Sequence, residues 1–283
     1  AVISDKCDAV GSAKVYSRLM LVTGRAPILA PLAGGVMVGV WGWQSIFLAL
    51  SAFSVMAAIA VALWLPETFP VDKPRQPLSG SVRRYGSLLS DRVYLGYALT
   101  GGISIAGMFA YIAGSPFVFI KLYGVAPEHY GWLFGSNAAG FILVAQLNAR
   151  LLSKRGPAVL LSRTVWVYVL AALTLLGITA LHTDALWPLL VPLFICIASL
   201  GCILPNTSAC AMAGQGARAG SASALLGCIQ FGVAAGAASL VGVLHDGTAM
   251  PMAMVISLCG VLAVTVAVST QRLQRARAAQ AQV

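Results

Sequence analysis

Four polar side chains lie inside long apolar runs of this 283-residue sequence. Asn137, Gln146, Asn206 and Gln230 each carry an amide that can both donate and accept hydrogen bonds. In an apolar setting such amides either bind a polar ligand in a central cavity or join neighbouring helices. Interhelical bonds of this kind contribute about 0.6 kcal/mol on average. Both interpretations stay open for the four residues.

Arg25 is the one basic side chain within a long apolar run. It lies about eight residues from the start of that run, which is roughly 12 Å along a helix. A central arginine costs about 2.5 to 3.5 kcal/mol on insertion scales. Arg25 therefore either faces an opposite charge on a substrate or another helix, or extends toward the headgroups.

Acidic side chains are confined to loops and to the ends of apolar runs. The eight are Asp5, Asp8, Glu67, Asp72, Asp91, Glu128, Asp184 and Asp246. The three histidines are scattered over loops, and the six cysteines show no CxxC spacing. We therefore predict no catalytic residue, no metal site and no enzymatic activity.

Aromatic residues recur along the run that contains Phe109 and Tyr111. Pockets for planar ligands are often lined by such rings, so these two side chains are candidates for a substrate cavity. Packing against neighbouring helices or lipid is the alternative interpretation.

The elements that position these residues must be membrane helices. Hydrophobic residues make up 59% of the chain, charged residues 9%, and the mean hydropathy is +0.87, which a soluble domain cannot bury. The net charge of +10 falls in clusters between apolar runs, so no nucleic-acid partner is expected. Roughly 20 apolar residues span a bilayer. The qualifying segments are 17–40, 44–65, 93–117, 130–150, 160–181, 186–210, 219–243 and 249–270.

The basic residues predict the orientation. With both chain ends in the cytoplasm, 16 of the 18 lysines and arginines fall in cytoplasmic segments, as the positive-inside rule requires. We divide the chain into a two-helix remnant of an N-terminal bundle at 1–65, a cytoplasmic linker at 66–92, a six-helix bundle at 93–271 and a basic cytoplasmic tail at 272–283. Two helices plus six is uneven for a transporter built from repeated halves.

Several stretches resemble the Bcr/CflA drug-resistance family of the major facilitator superfamily. APILAPLAGG at 26–35 resembles the antiporter motif of the fifth helix, and GSASALLGCIQFG at 220–232 resembles the eleventh. SPFVF at 115–119 and KRGP at 154–157 match in the same order. The family usually has Arg-Asp where this chain has Ser4-Asp5, and an uncharged residue at the position of Arg25.

The resemblance implies an all-α, polytopic membrane protein with the major-facilitator fold, whose eight transmembrane helices correspond to helices 5–12 of a 12-helix transporter. Pro27, Pro31, Gly34 and Gly35 would form its conformational motif. Its partners would be a drug-like small molecule, protons, the lipid bilayer and a missing N-terminal four-helix segment. No cofactor is expected, because a proton gradient supplies the energy, and the location would be the bacterial inner membrane.

A cytoplasmic latch is a further implication of the resemblance. Arg150, Lys154 and Arg155 are similar to the second-half counterpart of the loop motif that holds cytoplasmic helix ends together. The positive-inside rule alone also explains a basic loop there.

The implied activity is drug efflux by proton antiport in the intact transporter. The family's coupling acid generally lies in the N-terminal half, so we expect this chain alone to be uncoupled or inactive. Two alternatives stay open: an exporter of metabolites or amino acids with the same fold, and a truncated membrane protein that does not transport.

Overall fold

The computed structural model describes residues 33–64, 79–152, 154–181, 185–215 and 218–280. Two compact units divide the chain, Ala1–Gln76 and Pro77–Val283. Arg25, Pro27 and Pro31 lie outside the described residues, as does most of the predicted span 17–40.

The first unit contains helix α1 at 33–41 and helix α2, Gln44–Trp64. They are joined at Gly42, whose φ of +78° is accessible to glycine at little cost. The Ser45 hydroxyl donates to the Gly42 carbonyl at 2.6 Å and fixes this turn. None of the residues of α2 is buried within the chain, which suits a helix whose surroundings are lipid or other helices.

The second unit contains seven α-helices among its described residues. They are α3 Ser79–Ser90, α4 Arg92–Pro116, α5 Pro127–Leu152, α6 Pro157–Ala180, α7 Trp187–Met212, α8 Ala219–Val243 and α9 Met250–Gln280. A π-helical turn, Phe117–Leu122, extends α4. The short helix α3 lies in the polar segment 66–92, where the sequence predicted only a linker.

Six helices of the described chain are long and apolar enough to cross a membrane: α2, α4 with its extension, α6, α7, α8 and α9. They coincide with six of the eight predicted spans. The predicted span at 130–150 is also helical and lies within α5. This helix has 26 residues and is roughly 39 Å long. Its polar side chains, among them Asn137, Gln146 and Asn148, keep it less apolar than the other six.

Local signals explain several helix starts. Asp91 caps α4 by accepting hydrogen bonds from the backbone N–H groups of Val93 and Tyr94 at 3.1 and 3.5 Å. Pro157 begins α6 at a position where its missing N–H costs nothing. Pro192 and Pro205 lie inside α7, where each removes one backbone hydrogen bond.

Helices α4 and α7 lie at the centre of the second unit. α4 packs against α7, α8 and α9, while α7 packs against α5 and α6, and α9 closes the unit against α6. The core between them includes the fully buried Tyr97, Tyr168 and Phe119. At Gly201 in α7 the backbone of α5 comes so close that a Cβ atom would lie 2.1 Å from the Phe141 carbonyl oxygen. Small residues permit such close approach in membrane proteins.

Candidate functional site

Asn206 lies at the centre of a buried polar cluster between α5, α6 and α7. Its Nδ2 donates to Asn148 Oδ1 at 2.7 Å and to the Cys202 carbonyl at 2.9 Å. The Cys202 Sγ atom contacts the same Asn148 oxygen at 3.2 Å, and Thr164 Oγ1 of α6 lies 3.1 Å from that sulfur. Asn206 is fully buried, so in this structure its amide joins helices.

Tyr111 and Asn137 form a second cluster between α4 and α5. Asn137 Nδ2 donates to the Tyr111 hydroxyl oxygen at 3.1 Å and to the Leu133 carbonyl at 3.1 Å. The Tyr111 ring stacks on Phe134 with centroids 5.7 Å apart and planes 16° from parallel. Both residues are buried, yet Asn137 Oδ1 accepts no hydrogen bond from the described residues. An unpaired buried amide oxygen is a position where a bound polar group would be stabilised.

Gln230 and Phe109 lie on an accessible patch where α4 meets α8. The Phe109 ring meets Phe231 edge to face at a centroid distance of 6.1 Å. Gln230 is half-buried, and its Nε2 lies 3.1 Å from where a Cβ on Gly101 would stand. The Thr207 hydroxyl of α7 lies 2.8 Å from the same point. We call Phe109, Phe231 and Gln230 the aromatic–amide patch.

The remaining predicted residues are spread over the molecule. Gln146 is exposed on α5. Gly34 and Gly35 lie in α1, where the nearest atom to a Cβ on Gly34 would be Ile46 Cδ1 at 3.9 Å. The conformational role predicted for the two glycines stays a prediction.

The predicted latch residues lie at the end of α5 and in the turn that follows it. Arg150, Lys154 and Arg155 are all exposed. The backbone N–H groups of Lys154 and Arg155 both donate to the Leu151 carbonyl at 2.9 Å, which closes the last turn of the helix. The side chains of Lys154 and Arg155 make no salt bridge with the described residues, and the latch also stays a prediction.

An ion pair that the sequence did not reveal joins the start of α4 to the end of α9. Arg277 Nη1 donates to Asp91 Oδ1 at 3.2 Å, and Gln215 Nε2 donates to Asp91 Oδ2 at 3.4 Å. Burial raises the pKa of the Asp91 carboxyl, but the hydrogen bonds from Arg277, from the backbone of Val93 and Tyr94 and from Gln215 outweigh it. The pKa of Asp91 therefore lies below its ordinary value.

Metal-binding chemistry finds no support in the described part of the chain. No three histidine, cysteine, aspartate or glutamate side chains there come together as a metal ion would require. Cys196 and Cys259 are buried free thiols that pack as small apolar side chains, whereas the buried thiol of Cys202 belongs to the polar cluster around Asn206.

Comparison of the sequence with known proteins finds similarity to transporters. The profile of the Major Facilitator Superfamily matches residues 1–239. The chain is 36% identical over 266 residues to YdgK, an uncharacterized MFS-type transporter of Bacillus subtilis, a match covering 93% of this chain and 65% of the relative. It is 31% identical over 253 residues to a bicyclomycin resistance protein homolog of Haemophilus influenzae, covering 89% of this chain and 63% of the relative. The chain thus spans slightly under two thirds of the length of these relatives.

Two further similarities agree. Multidrug resistance protein D of Escherichia coli is 29% identical over 244 residues, covering 84% of this chain and 59% of the relative. A solved bacterial homolog of the human lysosomal transporter Spinster, inward-facing and unoccupied, has a TM-score of 0.58 at 15% identity. It covers 95% of this chain and 71% of that chain, and it shows the fold alone.

Profile, relatives and helical architecture point the same way. The described helices form a multi-pass membrane protein, and the matched profile is that of a transporter family, which is not a class of enzymes. The resemblance to the Bcr/CflA type is confirmed by the bicyclomycin- and multidrug-resistance relatives. The chain belongs to the major facilitator superfamily.

Proposed function

We propose that this chain takes part in the export of drug-like small molecules in exchange for protons, as helices 5–12 of a 12-helix transporter. The observation that carries the proposal is the aromatic–amide patch between α4 and α8, which is accessible and chemically suited to a planar or cationic organic molecule. Relatives named for bicyclomycin and multidrug resistance support this class of substrate. The bacterial inner membrane, with both ends of the chain cytoplasmic, is the proposed location.

From their burial and contacts we assign the amides two different roles, substrate binding and the joining of helices. The fully buried Asn206 donates through Nδ2 to Asn148 Oδ1 of α5 and to the carbonyl and sulfur of Cys202 in its own helix, while its Oδ1 accepts no hydrogen bond from the described residues; we assign its Nδ2 group to joining α5 and α7. Gln230 is half-buried and makes no hydrogen bond with the described side chains, so its amide is available to a ligand.

Two rings and one amide are a suitable set for a drug-like molecule. Phe231 is 60% exposed, and Phe109 supports it edge to face. An aromatic face attracts organic cations, and a contact of this kind contributes from about 0.5 to about 2 kcal/mol, depending on desolvation. Gly101 lets Gln230 and Thr207 approach α4 closely, because a Cβ there would lie only 3.1 Å from the Gln230 amide nitrogen and 2.8 Å from the Thr207 hydroxyl oxygen.

We assign proton coupling to the N-terminal four-helix segment of the intact 12-helix transporter. The carboxylates of the described residues, Asp91, Glu128 and Asp246, lie at helix ends or in turns rather than within membrane helices. A proton carrier in an antiporter must lie within the membrane, exposed to each side in turn. We therefore expect this chain alone to show no proton-driven efflux.

Efflux of a cationic dye from energised cells tests the proposal. One strain expresses this chain alone, and another expresses it joined to a four-helix N-terminal segment from the Bacillus subtilis relative. We expect efflux only in the joined form, abolished by a protonophore. Efflux by the chain alone would contradict the assignment of the proton carrier. A joined form that is present in the membrane but exports none of a panel of dyes and drugs would contradict the substrate class.

Variants of the joined form test the patch. Phe231→Ala should lower the apparent affinity for a cationic dye about fivefold, since the lost ring contact is of the order of 1 kcal/mol. Leu240→Ala is the matched control, because Leu240 is a partly exposed apolar residue on the same helix, outside the patch. Equal effects of the two substitutions would exclude the patch as the substrate contact.

A further inference from the structure

An open pocket of about 420 Å³ lies where the start of α6 meets the end of α9. Val159, Ser162 and Arg163 line it from α6, and Gln271 and Arg275 line it from α9. Gln271 Nε2 donates to the carbonyl oxygen of the second residue of α6 at 3.2 Å and ties the two helices together at the base of the pocket. The first turn of α6 has no side-chain cap, so its partial positive charge adds to that of the arginines.

This end of the second unit is strongly cationic. Among the described residues, eleven arginines and lysines lie there with a single carboxylate, Asp91: Arg83, Arg84, Arg92, Arg150, Lys154, Arg155, Arg163, Arg218, Arg272, Arg275 and Arg277. Asp91 already pairs with Arg277. Arg163 and Arg275 make no ion pair or hydrogen bond with the described residues, although both line the pocket. Both side chains are exposed, and two unpaired guanidinium groups that line one pocket are suited to an anion, to which arginine donates strong charge-assisted hydrogen bonds.

An apolar strip continues from the pocket along α6 toward the middle of the helix. Trp166 lies one turn beyond Ser162 on the same face, and Leu170 lies one turn beyond Trp166. Their exposed fractions are 51% and 62%. A soluble anion such as phosphate makes no favourable contact with an apolar strip. A phospholipid matches both features, because it has a charged headgroup and two apolar chains.

We propose that this pocket binds the headgroup of an anionic phospholipid, with Arg163 and Arg275 on its phosphate and an acyl chain along Trp166 and Leu170. The pocket lies at the end of the protein that the positive-inside pattern predicts to be cytoplasmic. Basic pockets between membrane helices on that side are suited to anionic headgroups, because the anionic lipid surface and the basic side chains meet there. The bound lipid connects α6 to α9.

Quenching of tryptophan fluorescence by brominated lipids tests the site. The purified full-length chain in an uncharged detergent is titrated with brominated phosphatidylglycerol or brominated phosphatidylcholine, and the contribution of Trp166 is obtained by comparison with Trp166→Phe. We expect saturable quenching of Trp166 by phosphatidylglycerol at a concentration at least tenfold lower than by phosphatidylcholine. Equal quenching by the two lipids would overturn the proposal.

Two double variants that remove the same charge, one inside the pocket and one outside it, test whether lipid binding depends on the pocket. Arg163→Gln with Arg275→Gln should weaken binding of phosphatidylglycerol roughly 25-fold, because each cation near an anionic lipid contributes about a factor of five. Arg83→Gln with Arg272→Gln removes the same charge from exposed positions outside the pocket and should weaken it less than threefold. Equal weakening by both pairs would show diffuse surface attraction and refute a built site.

Two further measurements test the role of charge and the possibility that the ligand is free phosphate. The variant with lysine at both pocket positions keeps the charge and should bind phosphatidylglycerol within about threefold of the original chain. Its circular dichroism spectrum reports folding independently, so loss of binding with full helical content would contradict a role for charge. Inorganic phosphate at millimolar concentration should not displace the lipid. Complete displacement would identify a site for free phosphate instead and overturn the assignment.

Discussion

The close contact at Gly201 allows a quantitative prediction. An alanine Cβ there would lie 2.1 Å from the Phe141 carbonyl oxygen and 2.8 Å from the Ala145 backbone nitrogen, where ordinary contact begins at 3.4 Å. Both obstacles are backbone atoms, so a change of side-chain rotamer cannot relieve them. Helix α5 must move by about 1.3 Å, the difference between 3.4 and 2.1 Å.

That displacement also reaches the polar cluster between the same helices. The bond from Asn206 Nδ2 to Asn148 Oδ1 is 2.7 Å long, and the same movement would lengthen it to roughly 4 Å, beyond hydrogen-bonding distance. Overpacking a tight contact costs about 1 to 3 kcal/mol. Loss of the interhelical bond adds about 0.6 kcal/mol, while the better helix propensity of alanine returns up to about 1 kcal/mol. We expect Gly201→Ala to destabilise the chain by about 1 to 3 kcal/mol.

The assay is reversible unfolding of the full chain by sodium dodecyl sulfate in mixed micelles, followed by circular dichroism. Gly177→Ala in α6 is the matched control, because no atom lies within 4 Å of a Cβ built there and only helix propensity changes. The control should be neutral or stabilising. If the two variants unfold within about 0.5 kcal/mol of each other, a threshold below the smallest cost of overpacking, the close packing of α5 on α7 is not a determinant of stability and the reasoning is refuted.

Three further predictions use the same unfolding assay. Asn148→Ala should cost about 0.6 to 1.7 kcal/mol by removing the acceptor between α5 and α7, whereas Gln146→Ala, at an exposed position two residues earlier, should cost nothing measurable. Because the pKa of Asp91 is lowered in the folded chain, its stabilising contribution should be complete above the unfolded value of 3.8 and lost as the pH falls through the folded value. Asp91→Asn should remove that acid dependence, and an unchanged pH profile would contradict it. Tyr168→Phe should be neutral or stabilising because its buried hydroxyl has no partner among the described residues. Tyr94→Phe should cost about 1 kcal/mol because it loses a 2.6 Å hydrogen bond to α8, and the reverse order would contradict both assignments.

Hydropathy located most of the helices because membrane insertion depends on local composition. A run of about 20 apolar residues needs no distant partner to be recognised, and six such runs appear as helices. Their bounds lie within a few residues of the predicted ones except at the end of α9, which continues to Gln280, ten residues past the predicted end at 270. Helix α5 shows where that signal weakens, since Asn137 and Asn148 lower its hydropathy and gain their partners only from other helices. The short helix α3 was missed for a related reason: it is polar, and its segment carries the composition of a linker.

The candidate site was predictable by residue type but not by role. The sequence identified Asn206 and Gln230 as equally placed amides, and both interpretations were open for each. The fold separates them, because Asn206 meets Asn148 in the bundle interior while Gln230 lies half-buried beside Gly101. Asn148 was not among the candidate amides, since it lies at the very end of the predicted span 130–150, two residues before Arg150.

What the sequence by itself determined is the membrane class, the position of the spans, the family resemblance and the predicted orientation, because each rests on local composition, local motifs or the distribution of charge along the chain. Tertiary structure alone decided which side chains meet. The partners Asn148 and Asn206 are 58 residues apart, and Asp91 and Arg277 are 186 apart. Spacing along one helix determines which of its residues share a face, but the face that a second helix covers depends on how the two pack. The amides, the ion pair and the basic pocket between α6 and α9 therefore became interpretable only once the helices were assembled.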